Sequence, residues 1–174
     1  MNDDIEVALG QHVAELRTAF DQSFARPLGE DGRDTIDFVA LRLNGDLHAL
    51  RMSDIGGLVN DAKLTPCPSP IPELKGIAAF RGVLTPVYDL AQLLGYPASE
   101  CTWMVLTGDR KLALAFDTFE GHFRVVPSAI APRQQNSGSS FVVEAASHDH
   151  DVHPIISVPA VIEAVTARVS KATV

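Results

Sequence analysis

The sequence has few aromatic residues, no strongly basic stretch and no long apolar run. Aromatic residues make up only 6% of the 174 residues although 46% are hydrophobic, so the core must be mainly aliphatic and the composition is globular. A formal net charge of −8 disfavours nucleic-acid binding, which requires a cationic surface. No apolar run reaches the roughly 20 residues that span a bilayer, and the acidic N-terminus does not resemble a signal peptide. These absences predict a cytoplasmic protein without direct membrane insertion.

Catalytic and cofactor motifs are missing as well. Cys67 and Cys101 are 34 positions apart, belong to no CxxC pair and are predicted to be reduced thiols. The serines in 137–140 lack the Gly-x-Ser-x-Gly elbow that exposes a nucleophile, and no glycine-rich loop is present to hold a phosphate. We therefore expect no catalytic residue and no cofactor.

One cluster, His148-Asp149-His150-Asp151-Val152-His153, contains residue types that bind metals. On a single strand His148 and His150 would share a face and His153 would not. Three or four convergent ligands are needed for a zinc site, and this spacing alone does not supply them. The segment is predicted to be a solvated hairpin turn, with metal binding as the less favoured alternative.

Much of the negative charge lies near the N-terminus. Residues 1–36 contain eight acidic residues against three arginines. Apolar residues recur at helical spacing and would form one stripe along a helix. They are Ile5, Leu9, Val13, Leu16, Phe20 and Phe24. The pattern predicts an acidic amphipathic helix over 1–26, a polar linker over 27–36 and a separate domain over 37–170. The helix either packs on its own domain or docks on a partner.

From residue 37 onward the pattern favours short β-strands separated by turns. Asn44-Gly45 divides two apolar runs and is the preferred sequence for a two-residue hairpin. Arg81-Gly82 and Gly108-Asp109 divide two further pairs of runs. Four prolines in 60–75 predict an irregular surface connection, because proline cannot donate to a sheet ladder. Further strands are predicted within 122–126, 141–146 and 152–158, with a loop over 132–140. The sum predicts a mostly β, small-barrel architecture.

Two short helices complete the pattern. Asp89 can cap a helix that contains Leu90, Leu93 and Leu94, and Gly95 ends it. Pro159 begins a last segment with a helical apolar stripe.

The most distinctive stretch is residues 74–95, LKGIAAFRGVLTPVYDLAQLLG. It resembles the signature of the chemotaxis coupling proteins, or CheW-like domains, which runs approximately Gly-Val-x-Asn-Leu-Arg-Gly-x-x-x-Pro-Val-x-Asp-Leu. The positions that match without a gap are Gly76, Arg81, Gly82, Pro86, Val87, Asp89 and Leu90. The first hairpin, the stretch 112–119 and the closing segment 153–165 also resemble the family, so the resemblance covers about residues 37–167.

The resemblance implies a fold of two intertwined five-stranded SH3-like barrels with a hydrophobic groove between them. It also implies a non-catalytic scaffold that links the cytoplasmic tips of chemoreceptors to the regulatory domain of a CheA-like histidine autokinase. Any attachment to a membrane would then pass through the receptor arrays.

The resemblance assigns roles to individual residues. Phe80 and Arg81 are expected to contact a partner, because an Arg fork at a tight corner can grip a carboxylate; a salt bridge within the domain is the equal alternative for Arg81. The family's receptor-contact positions fall on Ile55 and Gly57. Gly57 stands in place of an acid, and Ala79 in place of the family's Asn. The residues expected to be structural are Gly76, Gly82, Pro86, Asp89 and Asp117.

The sequence therefore leaves two hypotheses about the function, which belong to different classes of binding protein. The favoured one is a coupling scaffold that holds receptor and kinase together. The alternative is a divergent adaptor or inhibitor that binds only one partner, the kinase or another protein, through the acidic N-terminal helix.

Overall fold

The computed structural model describes residues 34–109, 111–133 and 139–172, and residues 35–174 belong to one compact unit. The predicted N-terminal helix, most of the predicted linker and residues 134–138 of the predicted loop lie outside the described residues. The described part is mostly β. Its strands are β1 Ile36–Leu43, β2 Asp46–Arg51, β3 Ile55–Asn60, β4 Leu64–Thr65, β5 Leu74–Phe80, β6 Val83–Asp89, β7 Trp103–Thr107, β8 Ala113–Phe116, β9 Thr118–Val125, β10 Ile130–Pro132, β11 Val142–His148 and β12 Asp151–Ile156. Its α-helices are α1 Leu90–Leu93 and α2 Val158–Ala172.

The strands form two six-stranded sheets, and the chain crosses from the first sheet to the second and back again. The first sheet has the order β10-β11-β12-β2-β1-β9, and the second has the order β3-β7-β8-β6-β5-β4. The chain leaves the first sheet after β2, builds the whole second sheet and returns with β9. The second sheet is therefore an uninterrupted segment between two parts of the first.

The predicted hairpin turns are confirmed. Asn44 has a φ of 49° and Gly45 a φ of 90°, which are the left-handed values that a type I′ turn requires. Arg81 and Gly82 repeat that geometry between β5 and β6, with φ of 50° and 82°. Trp103–Thr107 and Ala113–Phe116 pair as the predicted third hairpin.

Three strands were not predicted, namely β3, β4 and β10, and the last of these ends at Pro132, the first residue of the predicted loop. The connection proposed for residues 60–75 is not wholly irregular, because Leu64 and Thr65 pair with Ala78 and Ile77 as strand β4. The prolines lie outside this two-residue strand at the edge of the sheet, where a missing ladder donor is tolerated. Strand β3 was missed because its Gly56-Gly57 pair does not have the composition of a strand.

Buried side chains form one core between the sheets and a smaller cluster within each. The shared core joins Leu41 and Leu50 of the first sheet with Val105 and Phe116 of the second. Phe38 and Phe123 stack within the first sheet at 5.3 Å between ring centroids. Phe80, Val87 and Met104 form a cluster in the second sheet. Because β5 and β6 are anchored by both cores, the turn between them is presented on a rigid base.

Candidate functional site

The turn between β5 and β6 presents Arg81 on the surface. Arg81 is exposed, and its backbone has the left-handed conformation that costs a non-glycine residue about 1–2 kcal/mol. It makes no hydrogen bond or ion pair with another described residue. The expected alternative, a salt bridge within the domain, is therefore not found in the described part of the chain.

Apolar side chains are exposed next to this arginine. Val83 is 60% exposed and Leu84 is 73% exposed, although both lie in a strand whose other residues are largely buried. The preceding Phe80 is only 8% exposed and packs into the cluster of the second sheet. Of the two predicted contact residues, Arg81 is therefore available to a partner, whereas Phe80 mainly supports it.

A cavity of about 360 Å³ opens beside the turn. Leu58 and Val59 of β3, Leu106 of β7 and Phe80 of β5 line it, and Arg81 also contributes to its wall. The lining is predominantly apolar, so the cavity suits an aliphatic or aromatic side chain with a carboxylate near enough to meet Arg81.

Gly57 is part of this cavity, whereas Ile55 is not. A Cβ on Gly57 would lie 3.6 Å from Leu106 Cδ1, which is ordinary van der Waals contact. The glycine is therefore not required by the fold, and its effect is to leave this part of the cavity open. Ile55 is half-buried and packs against the shared core. The structure thus separates the two predicted receptor-contact residues.

Gly76 has a clear steric role. Its φ is 148°, and a Cβ at this position would lie 2.3 Å from the carbonyl oxygen of Thr65. Only glycine lets β5 approach the last residue of β4 so closely. Gly82, with a φ of 82°, provides the second left-handed residue of the Arg81 turn.

Asp89 is a helix cap, as predicted. Its Oδ1 accepts a hydrogen bond of 3.1 Å from the Gln92 N–H at the start of α1. The side chain is fully buried, and its Oδ2 lies 3.2 Å from Lys75 Nζ. The nearby Cys101 thiol lies 3.9 Å from the same oxygen, and burial raises the pKa of this thiol.

Asp117 and Pro86 also occupy structural positions. Asp117 accepts a 2.8 Å hydrogen bond from the Asn44 N–H, which ties the first hairpin to the end of β8, and it binds the Ser99 hydroxyl. Pro86 pairs with Ile77 of β5, while the parallel pairing of β6 with β8 begins only at Val87. The proline therefore sits where β6 has a ladder partner on one side.

The histidine cluster agrees with its prediction in part. His148 and His153, not His150, lie together, because the β11–β12 turn brings His153 opposite Ala146 and onto the same face as His148. Both rings contact Phe123, and His153 is only 7% exposed, so it is not part of a solvated turn. The predicted turn is confirmed at Asp149 and His150, which are exposed and have left-handed φ of 46° and 73°, but it does not extend to His153, which lies in β12. Among the described residues no three acidic, histidine or cysteine side chains converge on a metal-binding geometry.

Comparison with known proteins agrees with this fold. The family model of the CheW-like domain matches residues 37–166. The chain belongs to the CheW-like domain family. A crystal structure of the scaffolding protein TtCheW from Thermoanaerobacter tengcongensis is similar with a TM-score of 0.65 and 22% identity, over 71% of this chain and 89% of that chain. No curated protein sequence matches.

The resemblance to the CheW-like family predicted from residues 74–95 is thereby confirmed, as is a mostly β fold. The described strands form two six-stranded sheets, and the five-stranded SH3-like barrels that the resemblance implies stay a prediction. The family is one of non-catalytic scaffolds. None of the helices that the structure describes is long and apolar enough to cross a membrane.

Proposed function

We propose that this CheW-like protein is a coupling scaffold that links chemoreceptor tips to the regulatory domain of a histidine autokinase. One observation carries the proposal: Arg81 is held in a strained, exposed turn beside an apolar cavity and has no ion-pair partner among the described residues. Strained residues persist where function requires them, and an unpaired arginine beside an apolar cavity is a common anchor for a protein partner.

Binding at this site requires no chemical step. A partner's apolar side chain would fill the cavity between Leu58 and Leu106, and a neighbouring carboxylate would pair with Arg81. The apolar contact supplies most of the affinity, whereas the ion pair fixes orientation and excludes partners without an acid. Since β5 and β6 are anchored in two cores, the site loses little conformational freedom on binding.

The differences from the family signature alter the specificity of this site. Gly57 replaces an acid, so the cavity lacks a carboxylate that could repel an acidic partner or pair with a basic one. Ala79 replaces an asparagine and also lines the cavity. Both changes make the cavity more apolar. We therefore expect the receptor or kinase segment that binds here to be more apolar than is usual for the family.

The raised pKa of the Cys101 thiol agrees with a non-catalytic role. Burial raises the pKa of the Cys101 thiol, and the charge of Asp89 acts in the same direction. The thiol is therefore protonated near neutral pH and is a poor nucleophile. The expected site of action is the cytoplasm, at receptor arrays.

Simultaneous binding distinguishes a scaffold from a single-partner adaptor. Purified chain, histidine autokinase and receptor signalling domain, all from the same organism, should co-sediment as one complex, and omission of this chain should separate the other two. Binding of only one partner, abolished by deletion of residues 1–34, would instead establish the adaptor function. A chain that binds neither partner would refute the proposal.

A further inference from the structure

The cavity beside Arg81 contains a buried hydroxyl group that no protein group satisfies. Thr85 of β6 is only 2% exposed and lines this cavity. Its hydroxyl makes no hydrogen bond with another residue in the part of the chain that the structure describes. The unpartnered side-chain atoms that the described residues enclose completely are Glu73 Oε2 and His153 Nδ1, and the Thr85 oxygen is not one of them. The hydroxyl is therefore open to the cavity.

Strand pairing explains the direction of the Thr85 side chain. Thr85 lies opposite the buried Ala78 of β5, and directly opposed residues of an antiparallel pair share a face. Because side chains alternate along a strand, Thr85 points inward and the exposed Leu84 points outward. A buried hydroxyl without a partner costs free energy, which a polar group of a bound molecule can offset. Valine has the same shape and would avoid this cost.

The charge in the cavity has a single sign. Arg81 is the one charged residue in the described lining, and it makes no ion pair with another described residue. Its planar guanidinium can hold a carboxylate through two parallel hydrogen bonds. No acidic side chain in the described lining competes for it. The cavity therefore selects a molecule with a carboxylate for Arg81 and a second polar group for Thr85.

The remaining walls of the cavity are apolar. Leu58, Val59, Phe80 and Leu106 line a volume of about 360 Å³. Sites for small molecules have volumes of about 300–1,000 Å³, so the cavity suits a compact ligand. An aromatic ring fits this lining, because a ring packs on Phe80 and stacks on the plane of a guanidinium. A ring also holds two polar groups at fixed positions, so the ligand loses little conformational freedom on binding.

We propose that the Arg81 cavity is a binding site for a small aromatic carboxylate that also carries a hydroxyl group. The carboxylate pairs with Arg81, the ring fills the apolar part and the hydroxyl group bonds with Thr85. The ligand takes the space and the cation that a partner's apolar side chain and carboxylate would use, so ligand and partner compete. This regulatory consequence rests on the proposed scaffold function, whereas binding of the ligand does not.

Three related compounds test the site. Amide chemical shifts of the full-length chain would be followed by NMR during titration with para-hydroxyphenylacetate, with phenylacetate, which lacks the hydroxyl, and with para-ethylphenol, which lacks the carboxylate. Para-hydroxyphenylacetate should bind with a dissociation constant of about 1 mM or less. Phenylacetate should bind about three- to tenfold more weakly, and para-ethylphenol at least about tenfold more weakly.

Two substitutions assign the contacts. Thr85→Val keeps the shape of the side chain and removes the hydroxyl, so para-hydroxyphenylacetate should bind this variant no better than phenylacetate does. The affinity for phenylacetate itself should change by less than about twofold, because that compound has no group to pair with Thr85. Arg81→Gly should weaken binding of both carboxylates at least about tenfold.

Two variants outside the cavity serve as matched controls. Thr118→Val removes an exposed hydroxyl from β9, and Lys111→Gln removes an 80% exposed cation at the β7–β8 turn. Neither should change the affinity for any of the three compounds by more than about twofold. Unfolding in urea verifies that every variant retains the fold.

A competition experiment tests the regulatory consequence. The partner to use is the one, autokinase regulatory domain or receptor signalling domain, whose binding Arg81→Gly weakens. Its apparent affinity for the wild-type chain should fall about twofold when para-hydroxyphenylacetate is present at its own dissociation constant. An unchanged partner affinity at saturating ligand refutes the competition.

The outcomes separate this inference from the scaffold function. No saturable shift up to about 10 mM para-hydroxyphenylacetate, or equal affinities for the three compounds, refutes the ligand site and leaves the scaffold function standing. Unchanged para-hydroxyphenylacetate binding in Thr85→Val overturns the proposed contact. A wild-type chain that binds the ligand but neither partner refutes the scaffold function and the competition with it, while the ligand site stands.

Discussion

Replacing Arg81 with glycine should separate the stability of the turn from its function. Arg81 has a φ of 50°, a conformation that costs a non-glycine residue about 1–2 kcal/mol and costs glycine little. Glycine also loses more freedom on folding, by about 0.5–1 kcal/mol. The relief of strain equals or exceeds this loss, so Arg81→Gly should raise the free energy of unfolding by between zero and about 1.5 kcal/mol. Partner binding should nevertheless fall at least about tenfold, because the charge is lost.

The chain contains a suitable probe for this measurement. Trp103 is the single tryptophan and packs on Phe119 with 5.1 Å between ring centroids, so its fluorescence reports unfolding in urea. Arg81→Asn is the matched control for the turn, since asparagine tolerates the left-handed conformation. It should retain stability and lose binding in the same way. A loss of more than about 1 kcal/mol of stability in both variants would show that Arg81 holds the fold together, and the reasoning would be refuted.

Three other substitutions test the structural positions. Gly76→Ala should cost at least about 2 kcal/mol of stability, because its Cβ would lie 2.3 Å from the Thr65 carbonyl oxygen; an unchanged urea midpoint would contradict this. Asp89→Ala should cost about 3 kcal/mol, because it removes a helix cap and the carboxylate that neutralises Lys75; a cost below about 1 kcal/mol would show that the buried pair contributes little. Burial holds the pKa of His153 in the folded chain below 6.5, its value in the unfolded chain. As the pH falls, the imidazole is therefore protonated in the unfolded chain at a higher pH than in the folded chain. The free energy of unfolding should decline as the pH falls from about 6.5 towards the lowered pKa of the folded chain. His153→Phe should reduce that decline in thermal unfolding at pH 5 to 8, with the remainder due to His48, whose pKa burial also lowers, and an unaltered slope would show that His153 does not contribute.

The local chemistry of turns and caps was predictable from the sequence. Asn44-Gly45 and Arg81-Gly82 mark their hairpins because two-residue turns need left-handed backbone, which few residue types adopt easily. Asp89 was recognisable because a carboxylate before a run of leucines satisfies free N–H groups at a helix start.

Features that depend on distant pairing were not predictable. Strand β3 contains Gly56-Gly57 and is held by its partner β7 rather than by its own propensity. His153 joins His148 only because the β11–β12 turn reverses the chain. Of the two expected contact positions, Ile55 is half-buried against the shared core, whereas Gly57 lines the cavity.

Reconstitution of kinase control tests the scaffold function most directly. Receptor signalling domains on vesicles, the histidine autokinase and this chain would be combined, and phosphate transfer from ATP to the kinase would be followed over time. The wild-type chain should make the autophosphorylation rate depend on the receptor, and Arg81→Gly should abolish that dependence while the chain remains folded. A rate that is the same with and without the wild-type chain, at concentrations that saturate both partners, would contradict the proposed function.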